Sequence, residues 1–341
     1  MKKIIYYVTD HGQGHATRTV ALVRALAKFN FDVTIRNSNH IDFFEKSLSK
    51  IKIVSGITDV GPIIQKNGIS INKKESIPQL NRWIENLDKT SQKEIEKIKK
   101  INPSLIISDI SAMPFLVAEK INIPSIAISN FSWSEVLYNI VPDKLHILDN
   151  AYEKADFAIR LSLGTELKPF HNKKNVGLVC RSPTKSKKEI RKELGINDED
   201  FCIFIPLGIY HKILGKIDKK IRIISGGAKI NSSNILKINN WIEGQNLVNA
   251  SDLVICKCGY GLISECLTTE TPFLYLMDDF HIEQKAMSEK IYGLGLQNRI
   301  SEDDLFNLDL SKLDNKDFIK PRKEKNDTET AVDIINQFVK K

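Results

Sequence analysis

Short apolar segments alternate along the chain with longer stretches in which apolar residues recur at helical spacing. The first segment, from Lys3 to Thr9, is rich in β-branched and aromatic residues and ends at a glycine-rich turn, which predicts a buried strand. From Ala16 to Lys28 the apolar residues follow the period of an amphipathic helix. Strands are predicted again at 31–35 and 51–54. The chain therefore begins as an alternation of strands and helices.

The same alternation continues through the first half of the chain. A long polar helix is predicted from about Glu75 to Lys100, and it ends before Pro103 because the residue before a proline disfavours the helical conformation. A strand follows at 104–108, directly before Asp109. A helix at 112–120 and another strand at 125–129 come next. This order of elements predicts a parallel sheet that is covered by helices on both faces.

A lysine-rich stretch punctuated by proline, between residues 172 and 192, separates this half from a second one of the same kind. Four apolar segments predict the strands of a second sheet, at 201–205, 221–225, 253–256 and 273–276. We therefore predict two doubly wound, Rossmann-like α/β domains facing a cleft. The first domain spans 1–165, a linker region 166–195 and the second domain 196–325, and residues 326–341 form a C-terminal helix.

Composition narrows the class of protein. The 341 residues include 42% hydrophobic residues, which is an ordinary globular proportion, and no apolar run reaches the roughly 18 residues that a membrane span needs. The polar sequence Asp10-His11-Gly12 interrupts the first apolar run, which excludes a secretory signal peptide. The spacing of Cys256 and Cys258 is not that of a zinc or redox pair. We expect a cytoplasmic protein with reduced thiols.

Charge adds less to the picture. Fifty lysine and arginine residues against 42 acidic residues give a net charge of +8, which admits nucleic acid, an acidic membrane surface or a phosphorylated small molecule as partner. The lysines are dispersed and no basic motif is interleaved with aromatic residues, which disfavours nucleic acid. Peripheral association with a membrane stays an open expectation.

Three unusual segments lie at predicted strand ends, where open α/β sheets bind their ligands. The first runs from Thr9 to Arg18. Gly12 and Gly14 let a ligand approach the backbone closely, and the helix that follows offers free N–H groups to an anion. The dinucleotide-binding fingerprint is not met because the third glycine is missing. His15 is either a general base at the mouth of a site or a capping or packing histidine.

The other two segments carry acids. Asp109 directly follows an apolar strand, where a carboxylate is either a helix N-cap or the partner that orients a catalytic histidine, and a central position for its strand would bring it near His15. In the segment from Cys256 to Glu265, glycines again open a helix. Lys257 could neutralise a diphosphate and Glu265 could accept hydrogen bonds from two ribose hydroxyls. The alternative is a capped helix with an exposed acid.

Together these segments resemble the GT-B-fold, nucleotide-sugar-dependent glycosyltransferases. The donor signature of the plant glucosyltransferases is similar to residues 257–265, and the resemblance implies that the donor is bound by Lys257, Gly259, Tyr260, Gly261, Ser264 and Glu265. Tyr260 stands for the tryptophan of that signature and Lys257 for its diphosphate-contacting histidine. Further along the chain, Glu283 and Gln284 resemble the acid–glutamine pair that contacts the donor sugar.

In the first half, Gln13-Gly14-His15 resembles the family's loop with the catalytic histidine, and Asp109 falls where the family has the aspartate that orients it. The resemblance implies that His15 deprotonates an acceptor hydroxyl, which attacks the anomeric carbon with inversion, and that UDP leaves. It implies a hexosyl- or N-acetylhexosaminyltransferase that needs neither a cofactor nor a catalytic metal.

A closer resemblance is to the glycosyltransferase-like half of plant L-arabinokinases and their archaeal-type relatives. Three segments carry it together, namely 14–18, 130–133 and 257–265. The two predicted domains leave no room for the kinase half, so the resemblance does not imply sugar kinase activity. The resemblance does not supply the reaction that this half of those proteins performs.

The sequence defines the acceptor-binding residues less well than the donor-binding residues. We assign Gly12, Gly14, Arg18 and Trp133 to the binding of the acceptor or its phosphate. Arg18, which replaces a proline of the commoner family motif, either binds a phosphate or carboxylate or pairs with an internal acid. Segments 56–86 and 133–143 are expected to line the acceptor site. Their aromatic residues Trp83, Trp133 and Tyr138 either stack on a sugar or pack in the core.

Two turns of the second domain depart from the family pattern or are ambiguous. Segment 205–211 carries one glycine, Gly208, where the family often has a glycine-rich turn, and Gly226-Gly227 is either part of the nucleotide site or a plain turn.

The function that these residues favour is transfer of a sugar from a UDP-sugar to a sugar, lipid-linked or other hydroxyl acceptor. A nucleotide-sugar 2-epimerase uses the same architecture but needs more carboxylates in the cleft than the sequence places there. A non-catalytic protein that binds a nucleotide or sugar phosphate is the third hypothesis.

Overall fold

Two parallel β-sheets form the framework of the computed structural model. It describes residues 1–66, 68–207, 220–226, 234–238, 243–309, 313 and 317–340. Every pairing between the described strands of either sheet is parallel. The predicted pair of Rossmann-like α/β domains is confirmed.

The first sheet has seven strands in the order β3-β2-β1-β4-β5-β6-β7. Strands β4 and β5 are buried along their whole length because helices cover both faces, as expected of central parallel strands. The sheet extends through two strands that were not predicted, and β7 lies within the predicted linker region. The strands are β1 Lys2–Val8, β2 Phe31–Arg36, β3 Lys52–Val54, β4 Leu105–Asp109, β5 Ser125–Ser129, β6 Phe157–Leu161 and β7 Lys173–Val176.

The helices of this half differ from prediction in two places. The first helix begins at Gln13 rather than Ala16, so Gly14 and His15 lie in its first turn. The predicted long polar helix is two helices, because Asn86 ends one and precedes the next. The helices are α1 Gln13–Leu26, α2 Ile41–Ser47, α3 Lys73–Glu85, α4 Leu87–Ile101, α5 Met113–Ile121, α6 Trp133–Val136 and α7 Leu145–Tyr152.

The second sheet has five strands in the order β10-β9-β8-β11-β12. The four predicted strands are present. The segments that follow their carboxyl ends approach the first domain, as described below. Residues 208–211 and 227, which were singled out as unusual turns, lie outside the described residues. The strands are β8 Phe201–Ile205, β9 Ile221–Ser225, β10 Ile235–Lys237, β11 Leu253–Lys257 and β12 Phe273–Leu276.

The C-terminal helix returns to the first domain. It packs against α1, and Lys28 of α1 forms ion pairs with Glu329 and Asp333. One continuous hydrophobic core includes residues of both sheets, α1 and this helix. None of the described helices is long and apolar enough to cross a membrane. The helices of this half are α8 Lys187–Glu193, α9 Gly244–Ala250, α10 Tyr260–Thr269, α11 Ile282–Gly293, α12 Glu302–Phe306 and α13 Thr328–Lys340.

Candidate functional site

The two helices that begin at glycine-containing turns, α1 and α10, meet between the domains. Gly12 precedes α1 with a φ of 82°, a conformation that glycine adopts freely. A Cβ atom on Gly14 would lie 3.8 Å from the backbone nitrogen of Gly261. A Cβ atom on Gly261 would lie only 2.8 Å from Oγ1 of Thr17. Close approach of the two helix N-termini therefore depends on glycine at position 261.

His15 and Asp109 are in contact, as the positions of their strands predicted. Nδ1 of His15 lies 2.9 Å from Oδ1 of Asp109. His15 stands in the first turn of α1, which follows β1, and Asp109 ends the neighbouring strand β4. Both side chains are buried, and the ring of His15 packs edge-on against Phe131. This geometry holds the imidazole in one orientation.

Arg18 shares the same carboxylate. Its Nε donates to Oδ2 of Asp109 at 2.6 Å, its Nη2 donates to Oδ1, and Nη2 also lies 2.7 Å from Nδ1 of His15. The side chain is 1% exposed, and its guanidinium stacks over the ring of Tyr260 at 5.1 Å. Of the two roles considered for Arg18, the structure shows the pairing with an internal acid, and the side chain does not line open space.

Burial alone would raise the pKa of Asp109. The charge of Arg18 and, to a smaller extent, the contact with His15 outweigh burial, so the pKa of Asp109 lies below its ordinary value. Asp109 is therefore ionised at neutral pH and able to accept the hydrogen bond from His15. A buried carboxylate in this state needs the guanidinium, because an unpaired charge in this position would be costly.

Asn130 links this cluster to the second domain. Its Oδ1 accepts from Nη1 of Arg18 at 2.5 Å, and its Nδ2 donates to Oε1 of Glu283 at 2.9 Å. Glu283 lies in the first turn of α11. Its neighbour Gln284 is buried and accepts from the backbone N–H of Asp278 through Oε1, at 2.9 Å. Of the predicted acid–glutamine pair, Glu283 thus bonds to the first domain, whereas Gln284 bonds to the segment that precedes α11.

Lys257 lies at the end of β11 close to this cluster. Burial lowers the pKa of Lys257, and the charges of Glu283 and Asp278 partly oppose the effect. Among the described residues, none forms a hydrogen bond or ion pair with its ammonium group. Burial also lowers the pKa of the nearby His11, to about 3, and His15 and Lys257 add to the shift. His281 is 5% exposed, and its Nδ1 has no partner in the described part of the chain.

Four of the eight predicted donor-binding residues border one cavity of about 530 Å³. Glu265 lines it from α10, with Oε1 accepting from Nε of Arg181 at 3.0 Å. Burial raises the pKa of Glu265, although Arg181 acts in the opposite direction. Tyr260 and Ser264 are buried behind the wall, where the Tyr260 hydroxyl accepts from the backbone N–H of Val179. The other predicted residues that line the cavity are Gly14, Lys257, Gly259 and Gly261.

The aromatic residues assigned to the acceptor side separate into two groups. Trp133 is buried and donates from Nε1 to Oδ2 of Asp59 at 2.8 Å, so it packs in the core. Trp83 is partly buried against the same core. Tyr138 is 64% exposed and borders a second cavity, of about 860 Å³, between α6, α7, residues 164–169 and α11.

Three residues of the site were not found from the sequence. Arg181 pairs with Glu265. Burial lowers the pKa of His281, and the charge of Lys257 adds to the effect. Asp59 accepts from Thr9 Oγ1 and from Trp133, which fixes the segment before α1. Asn130 belongs to one of the three segments that carry the family resemblance, and the resemblance assigns it no role. No cluster of three or more His, Cys, Asp or Glu side chains is arranged to hold a metal ion in the described part of the chain.

Comparison with known proteins finds a family model that matches the first half of the chain and a relative that matches most of its length. Residues 2–164 match the family model described as glycosyl transferase family 1. Over 314 residues the chain is 26% identical to the L-arabinokinase of Arabidopsis thaliana, a match that covers 86% of this chain and 30% of that protein. The chain thus spans under a third of the length of this relative.

Solved structures show the same fold. UGT89C1 of Arabidopsis thaliana, complexed with UDP-L-rhamnose, superposes with a TM-score of 0.64 and 12% identity, over 99% of this chain and 98% of that chain. MurG of Acinetobacter baumannii superposes with a TM-score of 0.56 and 14% identity, over 99% of this chain and 100% of that chain. The resemblance to GT-B glycosyltransferases and the fold class are confirmed.

Proposed function

We propose that this protein is an inverting glycosyltransferase that moves a sugar from a UDP-sugar to a hydroxyl group, with His15 as general base. The observation that carries the proposal is the contact of Nδ1 of His15 with Asp109, at 2.9 Å, beside the cavity that Glu265 lines. A histidine held in this way presents its other nitrogen to a substrate, as a general base requires.

The comparisons support the general activity. The match to glycosyl transferase family 1 covers the half that contains His15 and Asp109. The GT-B fold of the whole chain, shared with a protein solved with UDP-L-rhamnose and again with UDP, supports a nucleotide-sugar donor. The choice of UDP follows the neighbours solved with UDP-L-rhamnose and with UDP. The role of His15 rests on its contact with Asp109, and the inversion rests on the resemblance to inverting enzymes.

In the proposed reaction, Nε2 of His15 takes the proton of the acceptor hydroxyl while Asp109 holds Nδ1–H. The acceptor oxygen forms a bond to the anomeric carbon on the face opposite the diphosphate. The bond from that carbon to the β-phosphate oxygen breaks, and its electron pair leaves with UDP. Lys257 and the N-terminal N–H groups of α10 offset the charge that develops on the leaving diphosphate.

The cavity bordered by Tyr138 is our candidate for the acceptor. Ile282 lines it from α11, next to Glu283. Asn130 joins Glu283 to the cluster of side chains around His15. Its volume of about 860 Å³ suits a ligand of sugar or lipid-headgroup size.

Calorimetric titration with UDP and a panel of UDP-sugars tests the donor. We expect UDP to bind, and we expect Glu265→Ala to weaken binding at least about tenfold, because hydrogen bonds from ribose to a carboxylate are charge-assisted. Glu193→Ala removes an exposed glutamate of α8, which packs on the second domain, and serves as control. Absence of binding by any uridine nucleotide would contradict the assignment of the donor.

His15→Ala tests the base. We expect transfer to fall by two to four orders of magnitude while the affinity for UDP stays unchanged. Product analysis without any acceptor is the companion experiment. Conversion of the UDP-sugar into an epimer under those conditions would replace the transferase proposal by the epimerase hypothesis.

A further inference from the structure

Five side chains form an unbroken path across the cleft. Glu283 of α11 accepts from Asn130, Asn130 accepts from Arg18, and Arg18 donates to Asp109, which contacts His15. Each contact is a hydrogen bond of 2.5–2.9 Å. The path runs from the residue that resembles a sugar-contacting acid to the candidate base.

The directions of the bonds made by Arg18 and Asn130 are fixed. A guanidinium only donates, so Oδ1 of Asn130 must face Arg18 and Nδ2 must face Glu283. Arg18 has one end on Asp109 and the other on Asn130, and the ring of Tyr260 from the second domain covers it. Asp109 thus holds the Nε and Nη2 side of the guanidinium, and Asn130 holds the Nη1 side.

The position of Arg18 decides how His15 carries its proton. Nη2 of Arg18 lies 2.7 Å from Nδ1 of His15 and also donates to the Asp109 oxygen that contacts the same nitrogen. If Nδ1–H donates to Asp109, Nε2 is free to accept a proton. If Nδ1 accepts from Arg18 instead, the proton sits on Nε2 and His15 cannot act as a base. A displacement of Arg18 from Asp109 toward Nδ1 would favour the second arrangement over the first.

We propose that Asn130 is a positioning residue that holds Arg18 so that His15 keeps its basic tautomer, and that it couples this state to Glu283 on the donor side. The inference rests on the proposed function of the site. A donor sugar whose hydroxyls bind Glu283 would therefore influence the tautomer of His15 through Asn130 and Arg18. It would do so without contacting His15.

The test reverses the hydrogen bond between Asn130 and Glu283. Asn130→Asp keeps an acceptor for Arg18 but places two carboxylates face to face. The double variant Asn130→Asp with Glu283→Gln exchanges donor and acceptor and restores the bond. We expect Asn130→Asp to lower kcat by on the order of a hundredfold with unchanged UDP affinity. The double variant should recover at least tenfold of that loss.

A spectroscopic readout separates positioning from a loss of structure. Nitrogen-15 NMR of the His15 ring reports which nitrogen carries the proton and needs no turnover. We expect mainly the Nδ1–H tautomer in the wild type, a larger share of Nε2–H in Asn130→Asp, and return to the wild-type ratio in the double variant. Asn246→Asp, a buried asparagine that binds Thr184 in the second domain, is the matched control and should change neither readout.

Each outcome decides the proposal. A double variant with no more activity than the product of the two single effects would overturn it, and so would an unchanged tautomer ratio in Asn130→Asp. If Asn130→Asp does not fold, Glu283→Ala breaks the path at its less buried end and must shift the ratio in the same direction. If no UDP-sugar is turned over, the proposed function fails, and the NMR measurement still tests the path.

Discussion

Asp109 is the residue on which the candidate base site depends, because it serves His15 and Arg18 at once. We predict that Asp109→Asn lowers the free energy of unfolding at pH 7 by about 3–5 kcal/mol, since the buried guanidinium loses its counter-charge. The folded-state pKa of Asp109 lies below its unfolded value. Its stabilising effect is therefore complete above the unfolded pKa of roughly 3.9 and disappears as pH falls through the folded value.

Urea denaturation of wild type and Asp109→Asn at pH 7 and pH 2.5 measures this difference. The two proteins should differ strongly at pH 7, and the difference should shrink as the pH falls toward 2.5, because Asp109 loses its charge. Equal stability at pH 7 would show that Arg18 is satisfied without the carboxylate.

Glu265 gives a second prediction at the same scale. Its carboxylate must be ionised to accept two ribose hydroxyls, and burial raises the pKa of Glu265. We expect the affinity for UDP to decline from pH 7 to pH 5 more steeply in the wild type than in Glu265→Gln. Glu265→Gln removes the titrating carboxyl group of the protein but leaves the titrating phosphate of UDP. Calorimetry on wild type and variant therefore separates the two contributions to the pH dependence. Parallel slopes would contradict a role for the Glu265 carboxylate in binding.

The sequence predicted these residues unequally. Contact between His15 and Asp109 follows from their places at the ends of neighbouring parallel strands, and the structure confirms it. Asp59 and Arg181 were missed, because each finds its partner far along the chain and neither stands at a predicted strand end. The charge of Arg18 was visible in the sequence, but its burial depends on the three-dimensional position of Asp109.

At the scale of elements, the contact between α1 and α10 places the two halves of the site side by side. We predict that Gly261→Ala separates these helices slightly, because the new Cβ atom would lie 2.8 Å from Oγ1 of Thr17. Thr17 would have to give up its hydrogen bond to the carbonyl of Gly14. The cost is about 1–3 kcal/mol, as for other overpacked sites, and part of it appears as weaker UDP binding.

Gly293→Ala is the matched control for this prediction. Gly293 also lies in a helix, but a Cβ atom there meets nothing within 4 Å. Alanine should be neutral or stabilising at position 293 because it restricts the unfolded chain. Thermal unfolding and UDP titration of both variants compare them directly. An equal response at the two positions would mean that the helix contact has no energetic importance.

Elements were predictable where burial leaves a pattern in the sequence. Strands covered on both faces read as continuous apolar runs, and those at 125–129, 201–205, 221–225 and 273–276 have the predicted bounds. Strand β7 carries two lysines and an asparagine at the sheet edge, so it has no such signal. The break at Asn86 was hidden because α3 and α4 are both polar and amphipathic.

At the scale of the whole molecule, the two domains are joined by direct contacts and by a common core. Arg24 of α1 forms a bidentate ion pair with Glu243, next to α9, and the N–H of Ile71 donates to Asp278 across the domains. One hydrophobic core spans both sheets. The predicted linker region therefore does not separate independent units. Its strand β7 completes the first sheet, whereas its helix α8 packs on α9 of the second domain.

Helix α13 is the element that closes this assembly, since it follows the second domain in sequence but packs on α1, which carries His15. We predict that Ile335→Ala lowers the free energy of unfolding by about 2–5 kcal/mol, because this side chain is fully buried in the shared core. Calorimetry should show one transition at a lower temperature. Lys28→Met removes only the exposed ion pairs to α13 and should leave that temperature almost unchanged. Two separate transitions in Ile335→Ala, with the first domain unaffected, would show instead that α13 belongs to the second domain alone.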